Sequence, residues 1–195
     1  MNDTLISDFT AKEVELALKQ MAHLKALGPD GMPPLFFQKY WKVVSPEVTQ
    51  GVLSCFNSGH ILHAINHTFI TLIPKVKTPA KITEFRPISL CNVIYKLISK
   101  VIANRLKGIL PSIISEAQSA FVPGRLIMDN VLVAFETLHH MHSTKIGREG
   151  AMAMKLDMSK AYDRVEWSFL ETIMRKMGFH PKWVSLFMNC ISTVS

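Results

Sequence analysis

A chain of 195 residues and 22.0 kDa, 48% hydrophobic and 19% charged, has enough apolar sequence for one domain with a sizeable core and too much for a disordered segment. Nine Gly and ten Pro exclude collagen-like or low-complexity composition, and three widely spaced cysteines (Cys55, Cys91, Cys190) argue for a reducing compartment over a disulfide scaffold. The net charge of +7, with a pI of 9.4, admits a polyanionic partner without requiring one.

In chain order, Met1-Asn2-Asp3-Thr4 starts no basic-then-apolar leader, and no apolar run reaches the roughly 18 residues of a membrane helix. The expectation is a soluble intracellular chain, in nucleus or cytoplasm. Thr10 with Glu13 forms a capping box, Phe9 with Val14 a hydrophobic staple, and Val14, Ala17, Leu18, Met21 and Leu24 continue the helical period. Gly28-Pro29-Asp30-Gly31 stops that helix in a tight loop. A segment rich in aromatics follows Pro33-Pro34 to about Val44, and Ser45-Pro46 starts a further helix that runs to about Phe56. Residues 68–73 read as a β-strand closed by Pro74, and residues 75–85 as a polar loop with three lysines. An amphipathic helix runs from about Asn92 to Lys107, with Lys96, Lys100, Asn104 and Lys107 on its polar stripe. Residues 119–124 suggest a short strand and turn, and residues 128–143 a helix. Residues 151–156 suggest a buried strand that delivers Asp157 at its end, and residues 166–177 and 181–193 two closing helices.

The charge is unevenly placed. Residues 75–111 carry a net +7, while residues 1–74 carry −1, 112–150 carry −1 and 151–195 carry +2. Such clustering favours a nucleic-acid partner over a scatter of solvated lysines, although an ordinary solvent face explains the stripe of Lys96, Lys100 and Lys107 equally well. His60, His63 and His67 carry no companion carboxylate, which makes a metal site there the weaker reading. His139, His140 and His142 suit the negative end of a helix dipole, and the eleven methionines fill core.

Asp157 alone is weak ground for chemistry, since a strand-ending Asp often caps the next turn. Its setting is more specific. Gly28-Pro29-Asp30-Gly31, Leu72-Ile73-Pro74-Lys75, Phe85-Arg86-Pro87-Ile88-Ser89-Leu90 and the run from Gln118 to Arg125 precede Leu156-Asp157-Met158-Ser159-Lys160-Ala161-Tyr162-Asp163. From Phe9 to about Met188 this order resembles the reverse transcriptase of non-LTR (LINE-type) retrotransposons, especially the plant versions. Leu27 departs from the family pattern, which has Pro before the Gly.

The resemblance implies an α+β, helix-rich, right-hand polymerase fold. Residues 1–67 would be a helical extension of the fingers, 68–150 the fingers and 151–195 the start of the palm. It implies that Asp157 is the first catalytic aspartate and a Mg²⁺ ligand, with the Met158 carbonyl completing one shell. Tyr162 would be the gate against a ribose 2′-OH. Lys75 and Arg86 would contact the incoming triphosphate. Gln118, Phe121, Gly124 and Arg125 would pack on the template, with Lys96, Lys100 and Lys107 as further template contacts. Asp163 would be structural. The implied partners are an RNA template, a DNA primer and deoxynucleoside triphosphates.

The six aspartates (Asp3, Asp8, Asp30, Asp129, Asp157, Asp163) include no adjacent pair, whereas the family needs an aromatic-x-Asp-Asp hairpin. The expectation is therefore fingers and partial palm, inactive alone. The alternative is a non-catalytic nucleic-acid-binding remnant or a decayed reading frame. A further expectation is that Val184, Leu186, Phe187 and Ile191 await cover from a palm and thumb, which would leave the isolated chain prone to aggregate.

Overall fold

A computed structural model describes residues 1–143, 152–156, 158 and 164–195. They form two compact units, residues 1–105 with 167–195, and residues 106–166.

The first unit opens with α1 (Asn2–Ile6) and α2 (Ala11–Lys19). The capping box is present: the Thr10 amide donates to Glu13 Oε2 at 2.8 Å and the Glu13 amide to Thr10 Oγ1 at 3.4 Å. Phe9 stacks on Phe56, with ring centroids 3.9 Å apart. The helix stops at Lys19 and does not reach Leu24, which is exposed. Beyond that end the Gln38 amide, from the next helical segment, donates to the carbonyls of Leu18 and Met21 at 2.9 Å each and ties the chain there.

Next come α3 (Pro34–Lys39), α4 (Trp41–Ser58) and the short α5 (His63–Asn66). Ser45-Pro46 does not begin a helix as expected. The amides of Val43 and Val44 already bond the Tyr40 carbonyl at 2.8 and 3.1 Å, so α4 starts at Trp41 and Pro46 lies inside it. Proline removes the bond that would reach the Lys42 carbonyl and its ring crowds that carbonyl, and the helix continues on both sides despite this cost. Gly59 closes α4 in the left-handed region at φ 69°.

Strand β1 (Thr68–Pro74) pairs antiparallel with β2 (Phe85–Cys91), from Thr68 opposite Cys91 to Pro74 opposite Phe85. The expected polar loop therefore ends in a strand that periodicity did not reveal. Pro87 sits within β2, and a two-stranded ribbon allows this because each strand has a free edge where no amide is needed. Helix α6 (Val93–Lys107) follows, burying Val93, Leu97, Ile98, Val101 and Ile102.

Helices α9 (Trp167–Lys176) and α10 (Pro181–Ser192) complete this unit. Here an expectation fails. Val184 and Leu186 are buried within the chain itself, together with Trp183 and Cys190. The Tyr95 hydroxyl donates to the Cys190 carbonyl at 2.6 Å, and the Asn189 amide donates to the Gly59 carbonyl at 2.7 Å. Asn2 holds the turn before α10 through the Gly178 carbonyl and the His180 amide. Burial pushes the Tyr95 hydroxyl and the Cys190 thiol each up to about 12, so both stay neutral at physiological pH.

The second unit contains α7 (Leu110–Ile113) and α8 (Ile127–Ser143). Residues 119–124 are a turn and not a strand, with Phe121 at φ 63° and Gly124 at φ 80°. Residues 152–156 form no strand and are exposed, Leu156 at 85%, which corrects the expected buried strand. A strand needs a partner ladder, and the ribbon β1–β2 is the sheet found among the described residues.

Candidate nucleotide and nucleic-acid site

The β1–β2 ribbon carries the two residues expected to meet a triphosphate. Arg86 lies opposite Ile73, and the Lys75 amide extends the ladder by one step, bonding the Glu84 carbonyl at 2.7 Å. In that register Lys75 and Arg86 are diagonal neighbours on one face of the ribbon. Both side chains are exposed, and the Lys75 ammonium rests on the Thr83 carbonyl at 2.9 Å.

What holds the ribbon is a residue that the motifs did not single out. Asn92, nearly fully buried at the exit of β2, donates to the carbonyls of Ala64 and Ile65 at 3.0 and 3.3 Å, just before β1. Its Oδ1 accepts from the Asp30 amide at 3.1 Å, binding the Gly28–Gly31 loop to the same point. Gly28 sits so close that a Cβ there would lie 2.5 Å from the Cys91 carbonyl oxygen and 2.6 Å from the Asn92 nitrogen. One buried amide thus joins both strand roots to the Gly-Pro-Asp-Gly turn. The signal available in the sequence was an Asn directly ahead of a long apolar helix.

The basic stretch is smaller in practice than in the sequence. All five N–H donors of Arg105 are engaged: Glu13 takes two (2.6 and 3.0 Å), and the carbonyls of Leu5, Ser7 and Asp8 take the others (3.0, 2.6 and 2.8 Å). The guanidinium also covers the Phe9 ring, with Cζ 3.6 Å from its centroid. Arg105 therefore fastens the N-terminal segment to α6 and offers nothing to a phosphate. Lys96 is half-buried with its ammonium 2.8 Å from the Ala26 carbonyl, Lys100 is half-buried, and Lys107 is exposed.

In the second unit, Arg125 is likewise inward-bonded. Its guanidinium donates to the carbonyls of Ser115, Gln118, Ile114 and Pro111, and so folds the turn around itself. Gln118 donates to the Ala120 carbonyl at 3.4 Å. In the same turn Phe121 has its backbone in the left-handed region and stands 81% exposed. A bulky residue at positive φ is costly, and such strain concentrates at functional positions.

Asp157, Tyr162 and Asp163 lie outside the described residues; Met158 is described and exposed. Among the described residues no group of three His, Cys, Asp or Glu converges as a metal site. The rings of His63 and His67 stack at 5.9 Å, and His63 Nε2 shares a hydrogen bond of 2.9 Å with Ser195 Oγ. The three cysteines are free, and no helix among the described residues is long and apolar enough to cross a membrane.

Residues 73–195, well over half of the chain, match the family described as reverse transcriptase (RNA-dependent DNA polymerase). The chain belongs to the reverse transcriptase family. The match starts at the end of β1 and takes in β2, α6, the Phe121 turn and Asp157. Among similar proteins, the "Transposon TX1 uncharacterized 149 kDa protein" of Xenopus laevis is 32% identical over 182 residues, covering 93% of this chain and 14% of that protein. The "Retrovirus-related Pol polyprotein from type-2 retrotransposable element R2DM" of Drosophila melanogaster is 26% identical, covering 91% of this chain and 16% of that protein. A corresponding polyprotein from the type-1 retrotransposable element R2 of Bradysia coprophila is 23% identical over 93% of this chain and 20% of its own length. The reverse transcriptase resemblance is thus of the non-LTR kind, and its plant flavour finds no counterpart in these animal relatives. The chain spans a fifth or less of their lengths. Reverse transcriptases work with a divalent metal, a nucleic-acid template and deoxynucleoside triphosphates.

Proposed function

We propose that this chain supplies the fingers and the first part of the palm of an RNA-directed DNA polymerase of a LINE-type retroelement, working inside the cell. Residues 1–67 extend the fingers, 68–150 form them and 151–195 begin the palm, a division by task that differs from the two compact units. The observation that carries the reading is the ribbon. It presents Lys75 and Arg86 on one exposed face, within the stretch matched to reverse transcriptases, with its roots locked by Asn92. A lysine point charge beside a planar guanidinium is a suitable pair for a triphosphate.

The remaining roles follow. Gln118, Phe121, Gly124 and Arg125 shape the surface that meets the template, the Phe121 ring stacking on a base while Arg125 and Gly124 hold the turn. Lys96, Lys100 and Lys107 steer the nucleic-acid backbone. Tyr162 excludes a ribose 2′-OH. Magnesium suits the donor chemistry, because the Asp157 carboxylate and the Met158 carbonyl are both hard oxygen ligands. Bound there, the ion would lower the charge on the reacting phosphate and 3′-oxygen. One carboxylate holds one hydrated ion, so nucleotide addition needs further carboxylates in the working polypeptide.

The test is primer extension on an RNA template by a polypeptide continuing this chain through an aromatic-x-Asp-Asp hairpin and thumb. The Tyr162→Ala variant should accept ribonucleotides that the parent refuses. Unchanged sugar selection would remove Tyr162 from its role.

A further inference from the structure

We infer that a pocket walled by α1, the end of α4 and the start of α10 binds an uncharged aromatic molecule carrying a carbonyl acceptor. The pocket lies within the first unit, has a volume of about 250 Å³ and shares no lining residue with the ribbon. Leu5, Phe56, Trp183 and Leu186, all buried, form its wall. Trp183 is only 1% exposed, and its indole Nε1 is buried with no hydrogen-bond partner among the described residues. An indole nitrogen is a donor only, and a buried donor left unpaired carries the full cost of its lost hydration. The backbone acceptors along the wall are already bonded: the carbonyls of Leu5, Ser7 and Asp8 to Arg105, and that of Gly59 to Asn189. What Trp183 lacks is an acceptor, and a carbonyl oxygen on a ligand supplies one.

The rest of the ligand follows from the other walls. Phe9, which also lines the pocket, stacks on Phe56 with centroids 3.9 Å apart and carries the Arg105 guanidinium at 3.6 Å. Both faces of its ring are covered, and the edge is left. Ring edges carry the positive side of the quadrupole and prefer the face of another aromatic ring. Asp8 and Lys182, both exposed, set one acid against one base on the rim, so an uncharged molecule enters without the desolvation cost of an ion. A nucleobase would bring several polar edges against an apolar wall that has one unpaired buried donor to meet them. The volume lies below the roughly 300–1,000 Å³ of sites for drug-sized ligands, which limits the occupant to one or two rings.

The experiment titrates acetophenone into the nitrogen-labelled 195-residue chain and follows the indole N–H resonances by NMR, with Trp41→Phe and Trp167→Phe assigning the Trp183 signal by elimination. Acetophenone should shift that signal saturably and raise the melting temperature. Ethylbenzene, which has the ring but no acceptor, should bind about two- to tenfold more weakly, the contribution of one hydrogen bond. Ser185→Phe, at an exposed α10 position on the rim, should block binding while a thermal melt confirms that the fold persists. An unmoved Trp183 signal overturns the proposal and leaves water as the indole's partner. Ethylbenzene binding as tightly as acetophenone overturns it too, as does a shift that persists in Ser185→Phe. Tighter binding of uracil or benzoate would make the occupant a nucleobase or an anion and overturn the assigned class. Each of these failures leaves the polymerase reading as it stands.

Discussion

Arg105 shows how a single residue changes meaning between sequence and fold. With its five donors engaged and its side chain only 7% exposed, it behaves as a core residue that happens to be charged. Removing one partner of such a pair leaves buried acceptors unsatisfied, and Arg105→Met should lower unfolding free energy by about 3 kcal/mol in denaturant titrations. Lys107→Met, on the same helix but exposed, should change it by less than about 0.5 kcal/mol. Glu13 is the other half of the latch. Burial raises its pKa, but the hydrogen bond and charge of Arg105 and the Thr10 bonds outweigh that and hold it below the ordinary 4.5. A depressed carboxylate stabilises the fold above its unfolded pKa and loses that contribution as pH falls through its folded value. The stability gap between parent and Glu13→Gln should therefore be constant near neutrality and shrink below about pH 4.5; a gap that widens on acidification would contradict the latch. The capping role of Glu13 was readable from Thr10-x-x-Glu13, because a cap is a local pattern. Its partnership with Arg105, 92 positions away, was not. A basic residue's sign is written in the sequence, while the groups that surround it are set by packing.

At the scale of elements, the same division separates what was legible from what was not. Helix α6 and helices α8, α9 and α10 follow apolar periodicity within a residue or two of their observed bounds. Strand β2 escaped because Phe-Arg-Pro-Ile-Ser-Leu-Cys carries a proline and both faces of its ribbon are largely exposed, so no alternation of apolar and polar residues marks it. The strand expected over 151–156 is absent at the described residues 152–156 for the opposite reason: an apolar run satisfies the pattern, but a ladder needs a neighbour. Helix α10 was expected to lie bare, yet Trp183 and Val184 are among the most buried side chains. Trp183→Ala should cost about 3–5 kcal/mol in the same titrations, as large aromatic deletions in packed cores do. The ribbon's anchorage makes a further claim. Gly28→Ala forces a Cβ against the backbone of Cys91 and Asn92, and should destabilise the protein by about 1–3 kcal/mol. Asn92→Ala should loosen the ribbon and raise KM for deoxynucleotides in primer extension, with a smaller change in kcat. A variant that lowers kcat alone would detach Asn92 from triphosphate placement.

For the whole molecule, the five ordered motifs from the Gly-Pro-Asp-Gly turn to the Asp157 segment led from the sequence to the reverse transcriptase family, and the match over residues 73–195 bears that family out. The order of motifs was legible because each is short and local. The packing that joins the Gly-Pro-Asp-Gly turn to the ribbon was not, since it depends on Asn92 and Gly28 bringing distant segments together. The excess of positive charge at 75–111 also reads differently in three dimensions, because Arg105 leaves it for the interior. Everything proposed for the site turns on Asp157 as the metal-holding carboxylate of an RNA-templated polymerase. The direct measurement is magnesium-dependent deoxynucleotide incorporation on an RNA template by a polypeptide that joins this chain to an Asp-Asp hairpin and thumb, comparing the parent with Asp157→Ala. Incorporation by the parent and its complete loss in Asp157→Ala, with an unchanged melting temperature, is the expected result. Incorporation at undiminished rate in Asp157→Ala would contradict the assignment.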